Sequence, residues 1–256
     1  MIYAYPVAGK AKSLEICRMF AHGCGGEVVP TAPAQLRDGP AFFYGVDDSN
    51  LHLWKQVKED PTREYYYCDN SYFDEVRQQY FRVTRNRLQH SGEGSSDCLR
   101  FERLGIKIKP RVKGSHLVVC PQSDHFMEKV VGYQGSWTQH TIEDLKVVAA
   151  DRPVRLRLWS PAKDKLAATL LEDLRHAHAL VTWSSAAAVT AVLNGVPVFC
   201  SGQCAAAPVA NRDLGALAFP YFFGDRFIHH WAGVLADNQW TLDEMFNGKC
   251  WEDLHK

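Results

Sequence analysis

No stretch of this sequence is long and apolar enough to span a bilayer, so a membrane-spanning role is not expected. No C-x-x-C pair occurs among the eight cysteines, Cys17, Cys24, Cys68, Cys98, Cys120, Cys200, Cys204 and Cys250. That removes the common zinc-ribbon and thioredoxin-like patterns. Cys200 and Cys204 have no further His or Cys pair at ligand spacing, so no metal site is expected. The opening Met1-Ile2-Tyr3-Ala4-Tyr5-Pro6 lacks the basic and apolar regions of a secretion signal. Reduced thiols in a cytoplasm are therefore the expectation. Gly9-Lys10 lacks the spacing of a P-loop. There is no internal repeat and no low-complexity segment. Lys plus Arg total 29 and Asp plus Glu total 29, so net charge says nothing about partners. With 46% hydrophobic and 23% charged residues, the chain reads as globular, and 256 residues suffice for one large domain or two small ones.

What is present is an alternation of short apolar runs and helical patterns. In the first half, strands are expected at Ile2 to Val7, Glu27 to Val29, Ala41 to Val46 and Glu64 to Cys68. Helices are expected after Lys10, burying Leu14, Ile16, Cys17, Met19 and Phe20, and from Leu51 to Lys58. This order predicts a parallel sheet with helices on its faces. Asp69-Asn70 directly follows the fourth strand, where the carboxyl ends of strands face a ligand crevice. Asp69 is a candidate general base; a simple turn residue is the equal alternative.

Residues 77–113 change character. Arg77, Arg82, Arg85, Arg87, Arg100, Arg103, Lys107, Lys109, Arg111 and Lys113 face only Glu93, Asp97 and Glu102, with Tyr80, Phe81, His90 and Phe101 interleaved. One reading is a polyanion surface using Arg77, Arg82, Arg85, Arg87, Lys107, Lys109 and Arg111. The other is a solvated face with an arginine or two for a nucleotide diphosphate. His90 to Ser96 reads as a loop, and Lys107 to Gly114 as a linker. Domains are expected at 1–110 and 111–228, with 229–256 forming helices that pack back on the first.

The second half restarts the alternation. His116 to Cys120 and Val154 to Leu158 read as strands, and His140 to Ala150 and Leu166 to His176 as helices. Ala179 to Thr182, Ala186 to Asn194 and Val196 to Phe199 then form a βαβ unit. Ser184 or Ser185 suits the helix N-cap, and Gly195 the left-handed position past its end. The turn between them is either an anion site made of backbone amides or an ordinary connection that binds nothing. Phe219-Pro220-Tyr221-Phe222-Phe223 and the tryptophans of the tail are expected to be mostly core.

On these residues the second half resembles the donor half of two-domain GT-B glycosyltransferases of the capsule-polysaccharide type. The carriers are His116 to Ser123, Arg155 to Pro161 and the Val181 to Val198 unit. The first half, from Tyr65 to Asn70 and from Arg82 to Asn86, is similar to small bacteriophage proteins. The resemblance implies an α/β fold of two Rossmann-like parallel-sheet domains facing a cleft and closed by C-terminal helices. It implies a nucleotide-diphosphate sugar as donor, no tightly bound cofactor, and no metal, in keeping with the lack of a D-x-D signature. The Ser184-Ser185 helix end would hold the diphosphate, with Arg155, Arg157 and Lys163 as cations. Gly114, Gln122 and Ser123 would line the donor side. Asp69 would be the base, with His90 second. DNA carrying hydroxymethylated bases, in the host cytoplasm of a phage, is one acceptor; a saccharide or small molecule is the other. A nucleotide-sugar epimerase and a non-catalytic nucleic-acid-binding module are the competing classes.

Overall fold

The structure is a computed structural model that describes residues 1–111, 113–158 and 169–256. The chain divides into two compact units, Met1–His90 with Asn238–Lys256, and Ser91–Asp237. The boundaries expected at 110 and 228 both fall inside the second unit.

The first unit begins β1 (Tyr3–Ala4), α1 (Ala11–Cys24), β2 (Glu27–Val28), β3 (Ala41–Tyr44), α2 (Leu51–Glu59), β4 (Tyr65–Asn70) and β5 (Phe81–Arg85). Helix α1 buries Ile16, Cys17, Phe20 and Ala21, a spacing that places one stripe on the sheet. The second unit contains α3 (Leu99–Leu104), β6 (His116–Val119), α4 (Trp137–Val148), β7 (Val154–Leu156), α5 (Leu170–Leu174), β8 (Ala177–Thr182), α6 (Ala187–Leu193), β9 (Val198–Cys200) and α7 (Asp225–Asp237). The chain then returns to the first unit with β10 (Gln239–Trp240), α8 (Leu242–Phe246) and α9 (Lys249–Asp253).

Both sheets belong to α/β architecture. The second unit has a four-stranded sheet in the order β7-β6-β8-β9, parallel throughout. The first has six strands in the order β10-β5-β4-β3-β1-β2. Strands β2, β1, β3 and β4 pair in parallel as expected, while β5 adds antiparallel pairs with both β4 and β10. The hidden strand is β5, whose Arg82 and Arg85 made it read as part of a basic run. Phe81 and Val83 are buried in the core of the unit beside Phe20, Phe42, Tyr66, Trp240 and Met245. The core of the second unit is built on Leu117, Val119, Trp137, Leu145, Val181 and Phe199.

One expectation about a connecting segment changes, and one about the tail. Residues 107–111 are not a linker between the units. The Lys109 N–H donates to the Leu193 carbonyl at 2.8 Å, and Arg111 Nη2 donates to the Pro220 carbonyl at 3.1 Å. Gly195 has φ +76, as its place past α6 requires, and a Cβ there would lie 2.0 Å from the Pro110 carbonyl oxygen. The tail aromatics are not uniformly core: Trp231 and Trp240 are buried, but Phe219, Tyr221 and Phe227 are exposed.

Candidate functional site

In the second unit the chain leaves β6 for β7 on one side and reaches β8 on the other. Loops that diverge from such a switch point leave a crevice at the carboxyl edge of the sheet. An open pocket of about 620 Å³ lies there. Gln122, Ser123 and Asp124 line it from the loop after β6, and Leu156 and Leu158 from β7 and beyond. The third wall is one face of α4. Thr138, Ile142 and Lys146 stand four residues apart, with Gln139 and Glu143 beside them, so a single helix face presents them together. Ser136 lines the pocket too and caps α4, its hydroxyl accepting from the Gln139 N–H at 3.2 Å. Gln139 Nε2 donates to Glu143 Oε1 at 3.0 Å. Lys146 is exposed and has no ion-pair partner among the described residues.

Gln122 ties this pocket to the turn after β8. Its Nε2 donates to Ser184 Oγ at 3.2 Å, and its Oε1 accepts from the Ser184 N–H at 3.4 Å. The turn itself differs from the expected amide cradle. The Ser185 N–H donates to Thr182 Oγ1 at 3.1 Å, and the Ala187 N–H to Ser185 Oγ at 3.2 Å. Ala186, not a serine, occupies the N-cap, and α6 has only seven residues. The amides expected to hold a diphosphate at Ser184-Ser185 therefore already have acceptors from this chain. Anion-binding capacity at this edge rests instead on side chains: the hydroxyls of Ser123, Ser136 and Thr138, and the Lys146 ammonium.

The other residues expected on the donor side are dispersed. Gly114 precedes β6 and so lies at the opposite, amino edge of the sheet. A Cβ there would lie 2.0 Å from the His176 carbonyl oxygen, so it serves close packing rather than a pocket. Arg157 Nη1 pairs with Asp173 Oδ2 at 2.6 Å, which neutralises it as a free cation. Arg155 is exposed on edge strand β7, and it is not among the pocket residues. Lys163 lies outside the described residues.

In the first unit, Asp69 is the fifth residue of β4 rather than a turn residue after it. Its Oδ2 accepts from Arg82 Nη2 at 2.6 Å, and its Oδ1 from the Asn70 N–H at 2.7 Å. The Arg82 guanidinium lies over the Tyr72 ring, 5.1 Å from its centroid. The Tyr72 hydroxyl accepts from the His90 N–H at 2.9 Å. Asp69, Arg82 and Tyr72 thus form one array, to which His90 is joined through its backbone N–H. Burial pushes the Tyr72 hydroxyl up to about 12. Burial, with the Arg87 charge second, lowers His90 to about 4, so its imidazole is neutral at physiological pH but only weakly basic.

The basic stretch divides between the two units. Arg77, Arg82, Arg85 and Arg87 are in the first unit, while Lys107, Lys109 and Arg111 are in the second. Arg77 pairs with Asp74 at 3.4 Å, Arg85 pairs with Glu64, and Arg82 is buried on Asp69. Of those four only Arg87 lacks a carboxylate partner among the described residues. No cluster of metal-ligating side chains occurs among the described residues, and no helix of the described chain is long and apolar enough to cross a membrane. Composition could have flagged Ser136 and Lys146, but only the fold brings α4 to the loop after β6.

No protein-family model matches the sequence, and no curated protein matches it in sequence. Solved structures do match. The chain is similar to the beta Kdo 2,7 transferase of KpsC from Thermosulfurimonas dismutans, with TM-score 0.55 and 11% identity over 99% of this chain and 98% of that one. It is also similar to the beta Kdo 2,4 transferase of the same KpsC, with TM-score 0.50 and 12% identity over 90% and 89%. At such identities the likeness establishes a shared mixed α/β fold with Rossmann-type sheets.

Proposed function

We propose that the protein is a glycosyltransferase whose second unit binds a nucleotide-sugar donor. The observation that carries this reading is the pocket at the carboxyl edge of β6 and β7. It joins hydroxyl and amide side chains to Lys146, with the Asp124 and Glu143 carboxylates also in its wall, on a fold shared with sugar transferases. In the reaction the bond from the anomeric carbon to a phosphate oxygen breaks, and its electron pair stays on that oxygen. Lys146 and the hydroxyls of Ser123 and Thr138 offset the charge that develops there. A bond forms from the anomeric carbon to the acceptor oxygen, whose proton passes to a base. Asp69 is proposed for that role; His90, lowered to about 4, is the poorer choice. The proposed reaction needs no metal, in the manner of GT-B enzymes. The acceptor proposed is a hydroxyl, with hydroxymethylated DNA bases as one case and a saccharide as the other.

The test is a thermal-shift screen against nucleotide sugars, a Kdo-bearing nucleotide included because the structural neighbours carry that name. A donor that binds the native state raises its melting temperature. The expected result is a shift with one donor that Lys146→Ala abolishes. No shift with any nucleotide sugar would end the proposal. Product analysis with donor alone separates transfer from epimerisation. Adding hydroxymethylated DNA, plain DNA or oligosaccharide then identifies the acceptor.

A further inference from the structure

The second unit carries an aromatic surface that the proposed reaction does not use. Phe219 is 91% exposed, Tyr221 63% and Phe227 48%, while Ile228 and Trp231 beside them are buried. Tyr221, Phe223 and Phe227 form a ladder. Tyr221 meets Phe223 edge-on at a centroid distance of 4.7 Å, and Phe223 stacks on Phe227 at 5.0 Å. The backbone beneath them is anchored. Asn211 Nδ2 donates to the Tyr221 carbonyl and Asn211 Oδ1 accepts from the Tyr221 N–H, each at 3.0 Å. Arg111 Nη2 donates to the Pro220 carbonyl at 3.1 Å. These rings are displayed by a fixed frame, and large apolar side chains displayed together mark a contact surface. A pocket of about 590 Å³ opens beside Phe227, Arg226 and His230.

The charge around the ladder has one sign in excess. Lys107, Lys109 and Arg111 take alternate positions and are exposed, with Ile108 half-buried between them. Arg226 lines the pocket. None of these four cations has an ion pair among the described residues. The neighbouring carboxylates Asp213, which accepts from the Gly215 N–H at 2.8 Å, and Asp225, which lines the pocket with Arg226, are both exposed and balance only two of the four cations. Flat apolar rings beside an excess of cations suit a ligand with exposed flat rings and spaced anions. A nucleic-acid duplex hides its base faces, whereas a single strand offers them. Its phosphates also supply the counter-charge.

We propose that Phe219, Tyr221 and Phe227, with Arg111 and Arg226, form a docking surface for single-stranded nucleic acid. Bases stack on the rings and phosphates sit on the guanidinium groups. This does not rest on the glycosyl-transfer reading, and it is tested without any donor. Fluorescence anisotropy on the full chain compares a labelled single-stranded oligonucleotide, the duplex, and an abasic strand of equal charge. The single strand should bind at least about fivefold tighter than either comparator. Phe219→Ala with Tyr221→Ala should weaken it by about fivefold or more, with the melting temperature held because both side chains are exposed. Arg226→Gln should shallow the salt dependence by about one phosphate contact. Equal binding of the abasic strand or of the duplex would overturn the proposal. So would unchanged affinity of the ring variant, equal competition by an anionic polysaccharide, or no binding at all.

Discussion

Asp69 and Arg82 stand directly opposite each other across the antiparallel β4–β5 pair, joined at 2.6 Å. The guanidinium is 7% exposed and the carboxylate 38%. Removing the acid leaves a buried cation without its counter-ion. Asp69→Asn should therefore cost about 1–3 kcal/mol, between the values for buried and exposed pairs, read by chemical denaturation. Loss of activity in that variant alone would be ambiguous. Asp69→Asn with Arg82→Gln should recover part of the stability. If Asp69 is the base, the double variant stays inactive; activity that returns with stability removes it from the mechanism.

Gln122 links the pocket to Ser184 by two hydrogen bonds. Gln122→Ala should cost about 1 kcal/mol of stability. It should also weaken nucleotide-sugar binding, seen in calorimetry as a larger Kd than for the native chain. Unchanged Kd would place donor recognition elsewhere on the sheet edge.

His90 gives stability a pH dependence. Its folded value is about 4 against an ordinary 6.5, because burial opposes the charged form. Between those values the unfolded chain takes up a proton that the folded chain refuses. The native state is favoured in full above 6.5 and loses that advantage as pH falls towards 4. His90→Asn should flatten the fall in urea midpoint over that window. An identical fall in the variant would assign the acid sensitivity to other groups.

Gly195 combines a positive φ with contact against Pro110. Gly195→Ala must strain the backbone and displace the 109–111 segment. A loss near the upper end of the ~0.5–3 kcal/mol range is expected in thermal denaturation. A variant as stable as the parent would mean that this segment is not held against α6.

Most strands were legible because they are short apolar runs: Ala41–Tyr44, His116–Val119 and Ala177–Thr182 bury nearly every side chain. Strand β5 was not, because charge masked its alternation. Phe81 and Val83 are buried in the core, and Arg82, also buried, is accommodated by Asp69 on the neighbouring strand. The packing of the segment before β6 is hidden for a related reason. Proline, glycine and charge announce irregular backbone, but they do not say what that backbone packs against. The pocket wall on α4 was likewise invisible, since Thr138, Ile142 and Lys146 acquire a common purpose only when the helix meets the loop after β6.

By itself the sequence determined the α/β class, the βαβ unit around Thr182 to Val198 and the left-handed turn at Gly195. These follow from local periodicity and backbone sterics, which act over a few residues. The tertiary structure alone decided which polar groups remain available. The Ser184-Ser185 amides were consumed by Gln122 and Thr182, Arg82 and Arg157 were neutralised by Asp69 and Asp173, and Lys146, Phe219 and Tyr221 were left facing solvent. Hydrogen bonds and ion pairs are settled by proximity between distant segments, and that proximity is written only in the folded chain.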